Sequence, residues 1–217
     1  MSRWTIPAVL CAVLITSPAV ADRVQVYSVQ GVDCGDCGTE IKAGLKKLKG
    51  VKKAEFDMYK AEVTVRLADG VTDAAVIGAI QRSGHDFRAL VGPGKGAYLP
   101  AEKYPEGTDV VHVTNNGSAV GPLEKLRVPG KYTVFDLYAD WCGPCRSVDA
   151  KLRETVSARK DVAVRKLNVV RFDSPLAREF GPRLKSLPYV VVFSPAGKRI
   201  DIVGADFKKL AAALQAS

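Results

Sequence analysis

The sequence predicts an α/β protein made of two domains, and three observations support this. Apolar residues between positions 24 and 90 follow the order strand, helix, strand, strand, helix, strand. Residues 91–108 hold four glycines and three prolines without apolar periodicity, which is typical of a linker. From residue 109 onward, strand and helix patterns alternate. We therefore expect a first domain at 22–90, a linker at 91–108 that tethers loosely, and a second domain at 109–217.

The first 21 residues have the features of a secretory signal. Arg3 precedes an apolar run at 4–15, and Ala19-Val20-Ala21 is a small-residue cleavage pattern. The run is too short to span a bilayer comfortably. We expect an exported chain, periplasmic or equivalent, that is soluble after cleavage and has no stable membrane insertion. An uncleaved anchor is the alternative.

The spacing of apolar residues places the elements of the first domain. Val24 and Val26 begin a strand. The later elements are a helix carrying Ile41, Leu45 and Leu48, two alternating strands that turn near Tyr59-Lys60, a helix capped by Thr72, and a short strand at 87–90. This order is the ferredoxin-like βαββαβ arrangement.

In the second domain, two nearly continuous apolar runs at 132–139 and 189–193 predict strands buried on both faces. The other expected strands are 110–114, 162–169 and 200–203, with helices near Leu123, after Cys142, at 174–180 and at 207–214. Helices then cover both faces of one sheet.

The formal net charge of +9 is a feature shared with many nucleic-acid-binding proteins. Residues 22–90 contain 11 Lys and Arg against 10 Asp and Glu, so most of the excess lies downstream. An exported protein whose basic residues are spread out uses them as solvated surface. We expect no nucleic-acid partner.

The first Cys-x-x-Cys pair lies in a loop between a strand and a helix, Gly31-Val32-Asp33-Cys34-Gly35-Asp36-Cys37. Cys37 falls in the first helical turn, where unpaired backbone N–H groups favour a thiolate. Two thiolates select a soft metal, above all Cu(I). A disulfide is the alternative, since cysteines three apart can be bridged.

This loop and the βαββαβ order resemble the heavy-metal-associated domain of copper chaperones and copper-transporting ATPases. The resemblance implies that the loop before the last strand approaches the metal. His85 lies there, where many bacterial relatives have tyrosine, and is a candidate third ligand; the alternative is a solvent-exposed histidine. Val32 replaces the usual methionine, and we expect this to change how rigidly the loop is held.

The second Cys-x-x-Cys pair runs from a buried strand into a helix, in the segment Trp141-Cys142-Gly143-Pro144-Cys145. Exchange of disulfides needs an accessible thiolate and a second thiol that resolves the mixed disulfide. Cys142, at the helix start, is the predicted exposed nucleophile, and Cys145, one turn in, is the predicted buried, resolving thiol.

This segment resembles thioredoxin over residues 109–217, and residues 136–142 also resemble the C-terminal domain of the membrane-embedded disulfide reductase of the bacterial periplasm. The resemblance implies that Asp136 relays the proton of the resolving cysteine. An ion pair with Lys166 is the alternative, because an unpaired carboxylate in an apolar strand is costly. Trp141, Asp136 and Lys166 join the two cysteines as candidate catalytic residues.

The same resemblance places Pro188 in a cis-proline loop that faces the redox pair and contacts substrate backbone. An X-Pro bond adopts cis at modest cost. Tyr189 replaces a threonine of the family, and Ala150 replaces a proline that kinks the active-site helix. We expect these departures to change the helix geometry and the substrate groove.

Gly143-Pro144 is also the dipeptide of thioredoxin, whose potential of about −270 mV is far more reducing than the roughly −120 mV of an oxidant. We expect a reductant that needs no cofactor beyond its dithiol. The implied partners are a transmembrane thiol donor and a disulfide-containing client, such as a copper-site protein or the chain's own first domain. The alternatives are a copper carrier that uses the second domain for docking or for a second metal, and an oxidase or isomerase.

Overall fold

The protein is described here by a computed structural model covering residues 22–32, 36–84 and 86–216. Its strands are β1 (Arg23–Val32), β2 (Val51–Asp57), β3 (Glu62–Leu67), β4 (Arg88–Val91), β5 (Ala97–Tyr98), β6 (Val110–Thr114), β7 (Tyr132–Tyr138), β8 (Val162–Asn168), β9 (Tyr189–Phe193) and β10 (Arg199–Val203). Its α-helices are α1 (Cys37–Lys46), α2 (Asp73–Gln81), α3 (Gly143–Ala158), α4 (Pro175–Phe180) and α5 (Phe207–Ala213). Short 3₁₀ turns lie at Leu123–Leu126 and Gly181–Arg183. In this part of the chain, no helix combines the length and apolar content needed to span a bilayer.

The first domain is an antiparallel sheet in the order β2-β3-β1-β4, packed against α1 and α2. Thr72 caps α2, accepting a hydrogen bond from the N–H of Ala75 at 3.2 Å. The core is apolar, and its fully buried side chains include Tyr27, Val29, Ile41, Leu45, Val63 and Ile80. The ferredoxin-like βαββαβ prediction is confirmed.

The second domain is a five-stranded sheet in the order β10-β9-β7-β8-β6. Strands β6, β8 and β7 run parallel, while β9 and β10 are antiparallel to their neighbours. One apolar cluster joins the sheet to α3 and α5, and a second joins it to α4. The central strands β7 and β9 are therefore buried on both faces, as predicted.

The segment at 91–108 is hydrogen-bonded to both domains, whereas we expected a loose tether from the sequence. On the side of the second domain, Arg146 donates to the carbonyl of Leu99. The N–H of Gly92 donates to Val26 at 2.9 Å, and the N–H of Leu99 donates to Val32 at 2.7 Å. Between them, β5 pairs parallel with β1. Glycines and prolines keep this segment irregular, yet its backbone groups still find partners on β1. The domain boundaries themselves stay predictions.

Candidate redox site and metal-binding domain

The second cysteine pair lies where β7 leads into α3. Cys142 is the N-cap residue of α3, and its Sγ accepts a hydrogen bond from the N–H of Cys145 at 3.3 Å. The two cysteines form a disulfide with a Cα–Cα distance of 5.3 Å. The sulfur of Cys142 thus faces the unpaired N–H groups of the first turn, which stabilise a thiolate when the bond is reduced.

Both cysteines are buried in this oxidised state: Cys142 is 4% exposed and Cys145 is 3% exposed. The expectation that Cys142 is exposed is therefore wrong for the disulfide form. The physical reason is packing, because Tyr138, Trp141 and Leu187 surround the pair. The cysteines still differ in position, since Cys142 precedes the helix and Cys145 lies in its first turn.

Asp136 is fully buried in β7 and lies opposite Lys166 of β8 in the strand register. The Lys166 Nζ donates to Asp136 Oδ2 at 2.6 Å, so the ion pair weighed as an alternative is formed. The second oxygen, Oδ1, has no hydrogen-bond partner among the described residues. Burial raises the pKa of Asp136, and the charge of Lys166 offsets this in part. A carboxyl that takes up a proton more readily than an exposed aspartate is suited to proton transfer.

Lys166 binds a second carboxylate, Asp149 of α3, whose Oδ1 lies 2.6 Å from its Nζ. Burial lowers the pKa of Lys166, but the charges of Asp136 and Asp149 outweigh it, so its pKa is raised and the ammonium stays protonated. The same ammonium lies 4.2 Å from the centroid of the Tyr138 ring. Burial raises the pKa of Tyr138 to about 12, which keeps this phenol neutral.

The loop predicted to face the redox pair has the expected geometry. The Leu187–Pro188 peptide bond is cis, and Leu187 packs against the cysteine cluster. Tyr189, the first residue of β9, is 2% exposed and donates its hydroxyl to Asp201 at 2.6 Å. The tyrosine side chain that stands in place of threonine therefore packs in the core and does not fill the surface groove. The helix that lacks the family's proline at Ala150 runs unbroken over 16 residues.

Trp141 connects the redox site to the first domain. Its Nε1 donates to the carbonyl of Val170 at 2.6 Å, and its ring contacts Phe172 at a centroid distance of 5.6 Å. Its other ring neighbour is Tyr59, from the β2–β3 hairpin of the first domain, at 5.7 Å edge to face. Val170 has a φ of 61°, a conformation that β-branched residues rarely adopt and that is found at functional sites.

The first cysteine pair is described in part. Cys37 is the first residue of α1, is 3% exposed and packs in the apolar core, which also contains the fully buried Val32. Cys34 and His85, the other two predicted ligands, lie outside the described residues. Among the residues that are described, no group of three His, Cys, Asp or Glu side chains could hold a metal. Their roles as ligands stay predictions.

Comparison with known proteins identifies both halves. The family model "Heavy-metal-associated domain" matches residues 26–86, and the model "Thioredoxin" matches residues 123–216. Thioredoxin AMT13 of Alternaria alternata is 31% identical over 94 residues, which are 43% of this chain and 77% of that protein. The chain belongs to the thioredoxin family. Its thioredoxin domain follows a heavy-metal-associated domain, and the two together form a fusion.

Other relatives of the thioredoxin domain include the chloroplastic F-type thioredoxin of Mesembryanthemum crystallinum, 38% identical over 88 residues. That match covers 40% of this chain and 44% of the relative, so the chain spans less than half the length of this curated relative. On the heavy-metal-associated side, the yeast copper transporter domain Ccc2a is 29% identical with a TM-score of 0.29, covering 32% of this chain and 96% of that one.

Three residues near the redox centre of this thioredoxin domain were missed by sequence reasoning. Asp149 lies on the buried face of α3 with Cys145, Val148 and Leu152, so helical periodicity alone could have found it. Tyr104, whose hydroxyl donates to Asp149 at 2.8 Å, and Tyr59 come from irregular segments. No local pattern in the sequence indicates their contacts.

Proposed function

We propose that this protein is an exported thiol:disulfide oxidoreductase that reduces protein disulfides, and that its heavy-metal-associated domain binds Cu(I). The observation that carries the redox assignment is the Cys142–Cys145 disulfide at the start of α3, in a domain where Asp136 is buried with Lys166. A module used only for docking needs neither a reversible cysteine pair nor a buried carboxyl. The secretory signal predicted in residues 1–21 supports export.

The arrangement supports a two-step exchange. The Cys142 thiolate attacks one sulfur of a substrate disulfide, forms a mixed disulfide and releases the other substrate sulfur as a thiolate. Cys145 then loses its proton and attacks Cys142, which re-forms the observed disulfide and releases the second substrate thiol. Asp136 is the candidate acceptor of that proton, because its raised pKa and unpaired Oδ1 let it hold one. Two electrons leave the protein in each cycle.

The segment between the cysteines supports the reducing direction of electron flow. Gly143-Pro144 is the pair found in thioredoxin, whose potential is about −270 mV. Each cycle oxidises Cys142 and Cys145, so an exported reductant needs a donor of two electrons outside the cytoplasm. A transmembrane thiol protein supplied from the cytoplasm meets that need.

The donor chemistry of the heavy-metal-associated domain fits a soft ion. Cys34 and Cys37 would hold Cu(I), with His85 as the candidate third ligand, because thiolates prefer soft metals. Cys37 begins α1, where the helix dipole favours its thiolate. Bound copper would be cargo or signal in this domain, while the thioredoxin domain uses its own dithiol.

The contact between the domains supports one client in particular, the Cys34–Cys37 pair of the same chain. Because β1 and β2 both run antiparallel to β3, the β2–β3 hairpin lies at the same end of the sheet as the carboxyl end of β1, which leads into that pair. Tyr59, in this hairpin, contacts Trp141 next to Cys142. A disulfide cannot bind Cu(I), so reduction of the pair would have to precede metal loading.

Insulin reduction by the full chain tests the proposed activity. Wild-type protein supplied with a thiol donor should reduce insulin disulfides, and Cys145→Ser should accumulate mixed disulfides that survive gel electrophoresis without reductant. Trapping in the native compartment with Cys145→Ser would identify the clients. An inactive wild type with an intact Cys142–Cys145 pair would favour the copper-carrier alternative.

A further inference from the structure

Residues 99–104, called the strap here, lie along one face of α3. Arg146 Nη2 donates to the carbonyl of Leu99 at 2.7 Å, and Arg153 Nη2 pairs with Glu102 at 2.8 Å. Between these contacts, the Tyr104 hydroxyl donates to Asp149 Oδ1 at 2.8 Å. The three helix residues that bind the strap are spaced by three and four positions, so they form one stripe on the helix.

Tyr104 closes a buried charge network. Asp149 Oδ1 accepts from both Tyr104 and Lys166, while its Oδ2 accepts from Arg153. Asp149 is 5% exposed, and the Tyr104 ring centroid lies 5.8 Å from the Lys166 ammonium. Burial and the charges of Asp149 and Asp136 raise the pKa of Tyr104 well above its usual range, so this phenol remains a donor at all working pH values.

The network opens into the space beside the redox pair. A cleft of about 770 Å³ is lined by Cys142 and Cys145 together with Tyr104, Asp149 and Lys166. The Asp149 carboxylate, itself buried, therefore shares this cleft with the two sulfurs, and its burial weakens the screening of its charge by solvent.

We propose that Tyr104 is a positioning residue of the redox centre. Its hydroxyl donates one of the hydrogen bonds that disperse the charge of the Asp149 carboxylate, so that Lys166 stays shared between Asp149 and Asp136 and the field of Asp149 at the cysteines is weakened. The segment between the two domains thereby belongs to the catalytic unit. This inference rests on the proposed redox function, since it concerns the protonation of the same cysteines.

Several charged or titratable groups face this network, and all must be considered in a pH experiment. They are Asp136 and Tyr138 on β7, Asp140 after it, Lys166 on β8, Arg146, Asp149 and Arg153 on α3, His112 on β6, Glu102, Lys103 and Tyr104 in the strap, Glu106 after it, and the thiols of Cys142 and Cys145.

The test is the rate of Cys142 alkylation in the reduced full chain, measured against pH. Tyr104→Phe keeps the ring and removes one hydrogen bond to the Asp149 carboxylate, whose negative charge is then less dispersed, so the midpoint of the profile should rise by roughly half to one pH unit. Asp149→Asn should lower the midpoint. A purely structural role would move both variants in the same direction, through loosened packing.

Tyr132→Phe is the matched control, because it also loses one hydroxyl contact, to the carbonyl of Ala216 at 3.1 Å, away from the cleft. Its profile should coincide with that of the wild type. A Tyr104→Phe profile that coincides with wild type, in a protein with unchanged melting temperature, overturns the proposal. Alkylation needs no substrate disulfide, so this result is independent of the insulin assay that tests the reductase activity.

Discussion

The two Cys-x-x-Cys pairs share a spacing and a position at the start of a helix, but their surroundings differ. Cys37 begins α1 and packs into an apolar core. Cys142 and Cys145 begin α3 in a domain that buries Asp136, Asp149 and Lys166. Burying three ionisable groups is costly unless each is paired. The difference supports the proposed division of labour, in which metal binding needs deprotonated sulfurs and disulfide exchange also needs groups that move protons.

The largest expected effect is the loss of disulfide exchange when the second cysteine pair is changed. Cys142→Ser should abolish insulin reduction, because serine cannot attack a disulfide sulfur. In the reduced wild type, Cys142 should alkylate faster than Cys145, since it lies at the helix N-cap. Peptide mass spectrometry after brief alkylation measures the two rates. Equal rates, or an active Cys142→Ser protein, would contradict the assigned roles.

The next effect concerns metal. The reduced full chain with Cys142→Ser and Cys145→Ser should bind one Cu(I), because the remaining thiolate pair, Cys34 and Cys37, selects a soft ion. Adding Cys34→Ser and Cys37→Ser should remove this binding, and His85→Ala alone should weaken it modestly if the imidazole is a ligand. Competition with a Cu(I) chelator measures the affinity. Undiminished binding in the variant with these four cysteines replaced would place the site elsewhere.

A smaller effect tests the buried acid. A carboxyl whose pKa is raised on folding binds its proton more tightly in the folded state than in the unfolded state. Its ionisation therefore lowers the stability of the fold as the pH rises above the pKa of the carboxyl in the unfolded chain. Relative to wild type, Asp136→Asn should therefore gain stability as the pH rises from 4 to 8, because the variant has no buried carboxyl to ionise. The pKa of Lys166 is also raised on folding. The stability that this contributes is fully present below the pKa of a lysine in the unfolded chain and is lost only at higher pH, so it does not change between pH 4 and pH 8.

Denaturant unfolding at the two pH values measures the difference. The same variant should slow insulin reduction, since Asp136 no longer accepts the proton of Cys145. Asp69→Asn is a suitable control, because Asp69 is an exposed residue of the first domain. A stability difference between Asp136→Asn and wild type that is the same at pH 4 and pH 8 would rule out ionisation as its cause.

How far the sequence predicts this molecule depends on the range of each interaction. Alternating and helical patterns predicted both folds, and local motifs predicted the cysteine pairs and Pro188. The contact of Tyr104 with Asp149, 45 positions away, was not predictable, since nothing near Tyr104 in the sequence indicates it. The same holds for the packing that buries Cys142, which depends on Leu187 from another loop. Glycine and proline content likewise predicted an irregular segment at 91–108 without showing that it is bonded to both domains.

The smallest expected effect concerns communication between the two pairs. We expect reduced Cys142 and Cys145 to transfer two electrons to a Cys34–Cys37 disulfide, which gains two protons and becomes two thiols while the first pair becomes a disulfide. Transfer is favoured roughly tenfold if the reduction potential of the Cys34–Cys37 pair is about 30 mV higher than that of the Cys142–Cys145 pair. The Tyr59–Trp141 contact holds the hairpin beside the redox pair, with Arg171 4.4 Å from the Tyr59 ring. An aromatic pair contributes about 0.5–1.5 kcal/mol, so Tyr59→Ala should slow transfer roughly 2–10-fold.

Copper uptake by oxidised full-length protein, after selective reduction of Cys142 and Cys145, follows this transfer. Phe207→Ala is the matched control, because Phe207 is a similarly exposed aromatic residue, 40% against 36% for Tyr59, on α5 of the thioredoxin domain. Insulin reduction by Tyr59→Ala should be unchanged or faster, since an external substrate gains access when the hairpin no longer contacts Trp141. If Tyr59→Ala and Phe207→Ala take up copper at the same rate, the contact does not guide the transfer. If uptake does not depend on Cys142 at all, the two domains serve separate clients.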